Sequence, residues 1–300
     1  MTEILIKIVP VILLFFAGLL LKLFRIIKGE DADLMLRLVF YVSLPALILK
    51  NVGSAHLTLR YAILPLSAAL IIGITWLVSR SFLPILRMER KSKGVFLIAT
   101  LILNTAFLIP FVSAIYGDQG LTALLIFDIA NALIIFTFIY LIAIKYSDNG
   151  SGKSLMLKKL LVSLPLWALV IAILISIFNL NIGEPLNGFL EMAGSTTTPL
   201  LMISLGAFFD PKIIRIRELG LVFLLRFGLG FLLGFGLAHL FGLEGLFRNI
   251  VILGAASPVG FNTLTFASLE NLDKKFAASL VSFAIILGML LTPFLMWAIE

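Results

Sequence analysis

The chain is 300 residues long, 61% hydrophobic and only 13% charged, with a formal net charge of +7 and no cysteine. So much apolar surface does not fit inside a soluble fold, and lipid is the solvent for most of it. The composition excludes a disulfide frame, a thiolate metal site and a cysteine nucleophile, and the basic residues are divided among short loops rather than gathered into a face for nucleic acid.

A helix needs about 20 residues to cross about 30 Å of hydrocarbon. Apolar stretches of that length predict ten spans, at about 4–24, 34–50, 61–80, 94–116, 121–145, 158–178, 186–208, 219–241, 247–269 and 276–298. The expected fold class is an all-α polytopic membrane protein with ten transmembrane helices. The first span reads as a retained helix rather than a signal peptide. Its charges, Lys22, Arg25 and Lys28, follow the apolar run, and no small-residue cleavage site ends it. Basic residues then alternate from loop to loop. Arg80, Arg87, Arg90, Lys91 and Lys93 follow span 3, and Lys145, Lys153, Lys158 and Lys159 surround the break after span 5. Lys212, Arg215 and Arg217 follow span 7, and Lys274 and Lys275 follow span 9. The even-numbered loops carry only Lys50, Arg60 and Arg248. Loops rich in Lys and Arg stay in the cytoplasm, so the odd loops are expected inside and both termini outside the cytoplasmic membrane.

Along the chain, Arg37 and Lys50 near the ends of span 2 read as interfacial. Span 4 is interrupted at its centre: Leu103-Asn104-Thr105-Ala106-Phe107-Leu108-Ile109-Pro110-Phe111. Proline removes a backbone N–H and clashes with the preceding turn. Non-helical backbone at membrane depth is tolerated only beside protein or a water-filled cavity. In span 5, Asp128 lies about two turns in, with Asn131 one turn further on the same face. A carboxylate there marks an ion or proton path unless it reaches the outer interface as a helix-end charge. The polar run Ser147-Asp148-Asn149-Gly150-Ser151-Gly152-Lys153 has a linker composition. It separates a first five-span half at about 1–145 from a second at about 158–300, with a cytoplasmic linker at about 146–157. Five spans per half make the second half enter from the opposite face, so the halves, if repeats, are inverted, as in many secondary transporters. Pro10 and Pro165, 155 residues apart, and Pro45 and Pro199, 154 apart, give this faint support.

In span 7, the hydroxyls of Gly194-Ser195-Thr196-Thr197-Thr198-Pro199 are expected to satisfy backbone carbonyls near the proline rather than touch a ligand. Arg226 is buried as deeply in span 8 as Asp128 is in span 5; it either snorkels or serves function. Gly230 and Gly234, four apart, fit close helix packing and not a nucleotide loop. Span 9 is the second interrupted helix: Gly254-Ala255-Ala256-Ser257-Pro258-Val259-Gly260-Phe261-Asn262-Thr263. Interrupted helices at matching places in two halves point to a transporter's midplane site. Half-helix N-termini there suit a carboxylate. The expected substrate-binding residues are therefore Asn104, Thr105, Pro110, Ser257, Pro258, Asn262 and Thr263, with Asp128 and Asn131 as the coupling pair. His56 and His239 have no partner at ligand spacing, so no metal site and no cofactor are expected beyond a coupling ion, H⁺ or Na⁺. A membrane-embedded enzyme is the distant alternative; no nucleophile–base pair, G-x-S-x-G or H-E-x-x-H supports it. The P-loop is missing too, which leaves secondary transport.

The span-4 sequence Asn104 to Pro110, followed by Tyr116-Gly117, resembles the signature of the auxin efflux carrier family. That family includes the plant PIN carriers and bacterial dicarboxylate permeases and sits in the bile/arsenite/riboflavin transporter superfamily. Val39 to Ile48 in span 2, Thr198-Pro199-Leu200 through Leu205-Gly206 in span 7 and Ser257-Pro258 in span 9 are similar to it as well. The resemblance covers essentially the whole chain. It implies two inverted five-helix repeats whose fourth and ninth helices cross at their breaks. It further implies a scaffold of spans 1, 2, 6 and 7, an elevator-type transport domain of spans 3–5 and 8–10, and a homodimer formed through the scaffold. The implied substrate is a small organic anion; a sodium-coupled carrier of a larger amphipathic anion, like the bile-acid transporters, is the alternative. Members often carry glycines between the asparagine and proline of span 4, where this chain has Ala106, Phe107, Leu108 and Ile109, a difference that bears on substrate size and shape.

The alternation of basic loops places residue 151 in the cytoplasm. Ser151→Cys, introduced into a chain without other cysteines, is expected to stay unlabelled by an impermeant maleimide in intact cells and to react after permeabilisation. Labelling in intact cells reverses the topology.

Overall fold

Inside a bilayer the backbone satisfies its own polar groups by forming helices, and helix dominates the computed structural model, which describes residues 2–147, 163–209 and 214–300. The expected linker beyond Ser147, with Lys153, Lys158 and Lys159, lies outside the described residues, as does Lys212. The helices are α1 (Thr2–Leu23), α2 (Gly29–Leu38), α3 (Leu44–Gly53), α4 (Ile63–Phe82), α5 (Arg90–Leu101), α6 (Thr105–Ile134), α7 (Tyr140–Tyr146), α8 (Leu164–Ile177), α9 (Glu184–Ser195), α10 (Thr197–Phe208), α11 (Ile216–Phe223), α12 (Gly230–Leu240), α13 (Gly245–Ala255), α14 (Asn262–Leu269) and α15 (Lys274–Ile299). Among the described residues there is no strand, only an isolated antiparallel bridge between Leu103 and Val259. Among the described residues, six helical segments are long and apolar enough to cross a membrane: Ile6–Leu23, Glu30–Gly53, Leu59–Phe82, Thr105–Tyr146, Ile216–Leu240 and Lys274–Ile299. Shorter apolar helices run over Leu164–Ile177 and Gly245–Ala255. The chain is an all-α, multi-pass membrane protein.

Three of these segments contain a wider π-helical turn, at Val39–Ser43 between α2 and α3, Ile135–Ile139 between α6 and α7, and Leu224–Leu229 between α11 and α12. The segment Thr105–Tyr146 is too long for one crossing. At Gly117 the backbone takes φ 57° and ψ −151°, a conformation open to glycine and costly for other residues, and the helix direction breaks where spans 4 and 5 were expected to part.

The chain divides into two units. The first comprises Met1–Ala62, Ile109–Ile126 and Ser163–Phe209. Here α1 runs against α10 with no side chain between the backbones: a Cβ on Gly18 would strike the Ile203 carbonyl, and one on Gly206 the Phe15 carbonyl. Lys22 closes the end of this pair, its Nζ donating to the Phe209 carbonyl at 2.5 Å. At the α9–α10 joint two of the hydroxyls satisfy backbone carbonyls as the sequence predicts, while Thr197 Oγ1 is buried without a partner. Ser195 Oγ donates to the Met192 carbonyl and Thr196 Oγ1 to that of Ala193, and the Thr196 and Ser43 hydroxyls lie 2.6 Å apart. Lys50 reaches Glu191 and Asn187, each at 3.1 Å, and Arg37 pairs with Asp33 on the surface. Arg37 is exposed, whereas Lys50 is half-buried between its partners.

The second unit comprises Ile63–Leu108, Phe127–Val162 and Asp210–Glu300. Gly230 and Gly234 let α12 lie directly on α13; a Cβ on Gly234 would come within 2.8 Å of the Ala255 Cβ. Asp273 ties three helix starts together. It caps α15 through the Phe276 N–H (3.1 Å), accepts from Ser92 Oγ of α5 (2.7 Å) and stands 3.6 Å from Arg215, which precedes α11.

The backbone contact at Gly206 yields a test. Gly206→Ala is expected to destabilise the protein by about 1–3 kcal/mol, the usual cost of overpacking, seen as a lower midpoint of thermal unfolding in detergent. Gly188→Ala, with open space at its Cβ position, should leave the midpoint unchanged or slightly raised.

Candidate functional site

The two interrupted helices meet within the second unit. α5 ends at Leu101, Ile102 is extended, and α6 begins at Thr105 after its cap, Asn104. α13 ends at Ala255 and α14 begins at Asn262. The bridge between Leu103 and Val259 joins the two breaks.

Where each break falls follows from its caps. Asn104 starts α6: its side-chain oxygen accepts the Phe107 N–H at 3.2 Å, the usual role of asparagine at a helix N-cap. Pro110, expected at the break, instead lies inside α6. The interruption precedes the proline because a capping side chain ends one helix and begins the next. Pro258 does lie in its break, between α13 and α14. Gly288 of α15 leaves room for it: a Cβ there would fall 2.5 Å from Pro258 Cγ and 2.9 Å from the Phe107 ring.

Broken backbone leaves carbonyls and N–H groups without helical partners, and side chains supply them here. Asn131 pairs with Leu103 as a strand would, its Oδ1 accepting the Leu103 N–H (3.3 Å) and its Nδ2 donating to the Leu103 carbonyl (3.0 Å). Asn104 spans the crossing. Its N–H donates to Ser257 Oγ (3.1 Å) and its Nδ2 to the Val259 carbonyl (3.1 Å). Arg226 reaches in from the π-helical turn between α11 and α12. It is fully buried, so it does not snorkel. Nη1 donates to the Thr100 carbonyl (3.3 Å); Nη2 donates to the carbonyls of Ala255 (3.2 Å) and Ser257 (2.7 Å) and to Ser257 Oγ (3.2 Å). One guanidinium thus holds the ends of α5 and α13 together. Among the described residues no carboxylate pairs with it, and its Nε has no partner.

Asp128 joins the same crossing through Thr105 and Asn131. Its Oδ1 accepts from Thr105 Oγ1 at 2.6 Å and from Asn131 Nδ2 at 2.7 Å. It is only half-buried and is held by polar groups inside the unit, not by the end of a span. Oδ2 makes no hydrogen bond.

The sequence-derived residues therefore separate by what they are already doing. Asn104, Ser257 and Asn131 are committed to the breaks. Thr105 is committed to Asp128. Asn262 is half-buried and its side chain makes no hydrogen bond, and Thr263 Oγ1 is buried without a partner. Of the sequence-derived substrate-binding residues, the free polar groups are those at the start of α14. Sequence reasoning missed the part played by Arg226; its depth in an apolar span was the available signal.

Two helices interrupted and crossed within one body of a multi-pass protein form a transporter's geometry. The family model described as membrane transport protein, the auxin efflux carrier family, matches residues 3–296. The chain belongs to that family. Two archaeal relatives are similar along nearly their whole length. An uncharacterized transporter of Methanocaldococcus jannaschii is 24% identical over 282 positions, covering 90% of each chain. Another, of Methanothermobacter thermautotrophicus, is 25% identical over 303 positions, covering 97% of this chain and 96% of its own. The chain is a membrane transporter and not an enzyme.

The hydrogen-bond pattern predicts different fates for the two asparagines at the helix starts. Asn104→Ala removes one partner from each of two buried backbone groups and is expected to cost about 2–4 kcal/mol of stability. Asn262→Ala breaks nothing and should stay within about 0.5 kcal/mol of the parent. Unfolding midpoints of the purified variants in detergent decide this; equal midpoints would show that Asn104 is not structural.

Proposed function

We propose that the chain is a secondary transporter of a small organic anion, a carboxylate, across the cytoplasmic membrane, coupled to protons through Asp128. The observation that carries this reading is the crossing itself. It gathers a buried guanidinium without a carboxylate partner, two helix starts, and the unengaged polar groups of Asn262 and Thr263 in one unit. Helix starts carry positive partial charge and free N–H donors, which suit a carboxylate. Asp128 is hydrogen-bonded to Thr105 at the first of these helix starts, and one of its oxygens is unengaged.

The division of the chain supports an elevator-type mechanism. The unit with the crossing draws on Ile63–Leu108, Phe127–Val162 and Asp210–Glu300; the other draws on Met1–Ala62, Ser163–Phe209 and Ile109–Ile126. These ranges follow the transport and scaffold grouping implied by the family, apart from 109–126. In this reading ten spans form two inverted repeats with both termini extracytoplasmic, and the crossing unit carries the substrate as one body.

Asp128→Asn keeps the shape of the protonated side chain and removes its titration. In proteoliposomes, this variant is expected to lose accumulation driven by a pH gradient and to retain substrate-for-substrate exchange. A run with sodium replaced by choline distinguishes the coupling ions. pH-driven accumulation that survives in Asp128→Asn removes the aspartate from coupling.

A further inference from the structure

The two charges at the crossing, buried Arg226 and half-buried Asp128, differ in how they are balanced, and that difference bears on what enters with the substrate. Arg226 holds the last carbonyls of two helices, Thr100 of α5 and Ala255 of α13, together with that of Ser257. A helix C-terminus carries about −0.5 of a charge, so two of them offset one guanidinium. The two helix starts at Thr105 and Asn262 are the opposite poles, together about +1. Asp128, bound to the Thr105 hydroxyl, supplies the matching negative charge from the protein. The crossing is therefore balanced when Asp128 is ionised and no anion is present.

We infer that the substrate's carboxylate and the charge of Asp128 are alternatives, so that one monocarboxylate moves with one proton in an electroneutral symport. This inference rests on the proposed function and names its substrate class and stoichiometry. A carboxylate arriving at the start of α14, where Asn262 is unengaged and Thr263 Oγ1 is buried without a partner, would leave the crossing with one negative charge in excess. Protonating Asp128 on Oδ2, the oxygen that makes no hydrogen bond, removes the excess. Oδ1 keeps both of its donors, Thr105 and Asn131. The loaded and empty units then carry equal charge. A dianion has no second counter-charge at the crossing and is disfavoured.

The other charged groups near this region do not alter the balance. Arg90, Lys91 and Lys93 stand in the first turn of α5, Arg248 in that of α13, and Lys274 and Lys275 at the start of α15. Arg217 and Glu218 stand at the start of α11 and His239 at the end of α12. Glu270, buried at the far end of α14, accepts from Tyr140 at 2.6 Å and contributes equally to both states.

The test uses the full chain in proteoliposomes with radiolabelled pyruvate and malonate, an internal pH dye and a potassium–valinomycin voltage clamp, with protein-free vesicles subtracted. The expected result is uptake of one proton per pyruvate, at the same rate at zero and about −100 mV, with malonate slower by about tenfold or more. Asp128→Asn should exchange pyruvate for pyruvate without proton uptake. Proton-driven pyruvate flux that changes with voltage overturns the stoichiometry and leaves proton coupling intact, as does malonate moving as fast as pyruvate for the substrate class. One proton per pyruvate in Asp128→Asn moves the exchange of charge to another group. Protein-dependent flux of neither acid, under any gradient, overturns the anion reading and this inference together.

Discussion

A backbone group that loses its helical partner where water is scarce must find another, and the guanidinium of Arg226 provides for three of them at once. Removing a partner from a buried polar group costs more than an average hydrogen bond contributes. The crossing would otherwise hold the carbonyls of Thr100, Ala255 and Ser257 in a low-dielectric interior. Arg226 is suited to this because its planar fork carries several donors in fixed directions and stays charged. A lysine has neither the reach to two helix ends nor the geometry.

The remaining contacts divide the labour. Asn131 occupies the hydrogen-bonding edge of Leu103, and Asn104 fastens the first break to the second through Ser257 and Val259. Because these side chains are engaged, bending at the breaks would cost buried hydrogen bonds. A ligand would find its contacts among groups that hold no structural bond, and at the break these include Asn262 and Thr263 at the start of α14.

Hydropathy made much of the fold legible, since lipid demands long apolar runs and places basic residues between them. The existence of two interrupted helices was legible for the same reason: asparagine, serine and proline stand out in such runs. The position of the first break was not. Proline draws attention as the residue that cannot donate, yet Pro110 sits inside α6, and the helix start is set by Asn104. A capping asparagine looks like any polar residue until its Phe107 partner is seen. Arg226 was visible as a charge but not as a connector, because its partners lie 126, 29 and 31 residues away in the chain. The commitment of Ser257 and the openness of Asn262 depend on that same long-range geometry, which no local pattern encodes.

The π-helical turn at Leu224–Leu229 sets the rotational phase of a whole segment. A π turn holds about one residue more than an α turn, and each residue of an α-helix advances the direction of side chains by about 100°. With the extra residue, Arg226 meets the helix ends while Gly230 and Gly234 meet α13. Deleting a single residue there would restore an ordinary helix of nearly the same hydropathy and swing one side of the segment by about a quarter turn. The guanidinium or the glycine pair would then face the wrong neighbour. Among related chains, a one-residue gap at this place is therefore a change of architecture, more consequential than most substitutions, even though every apolar span would still be present.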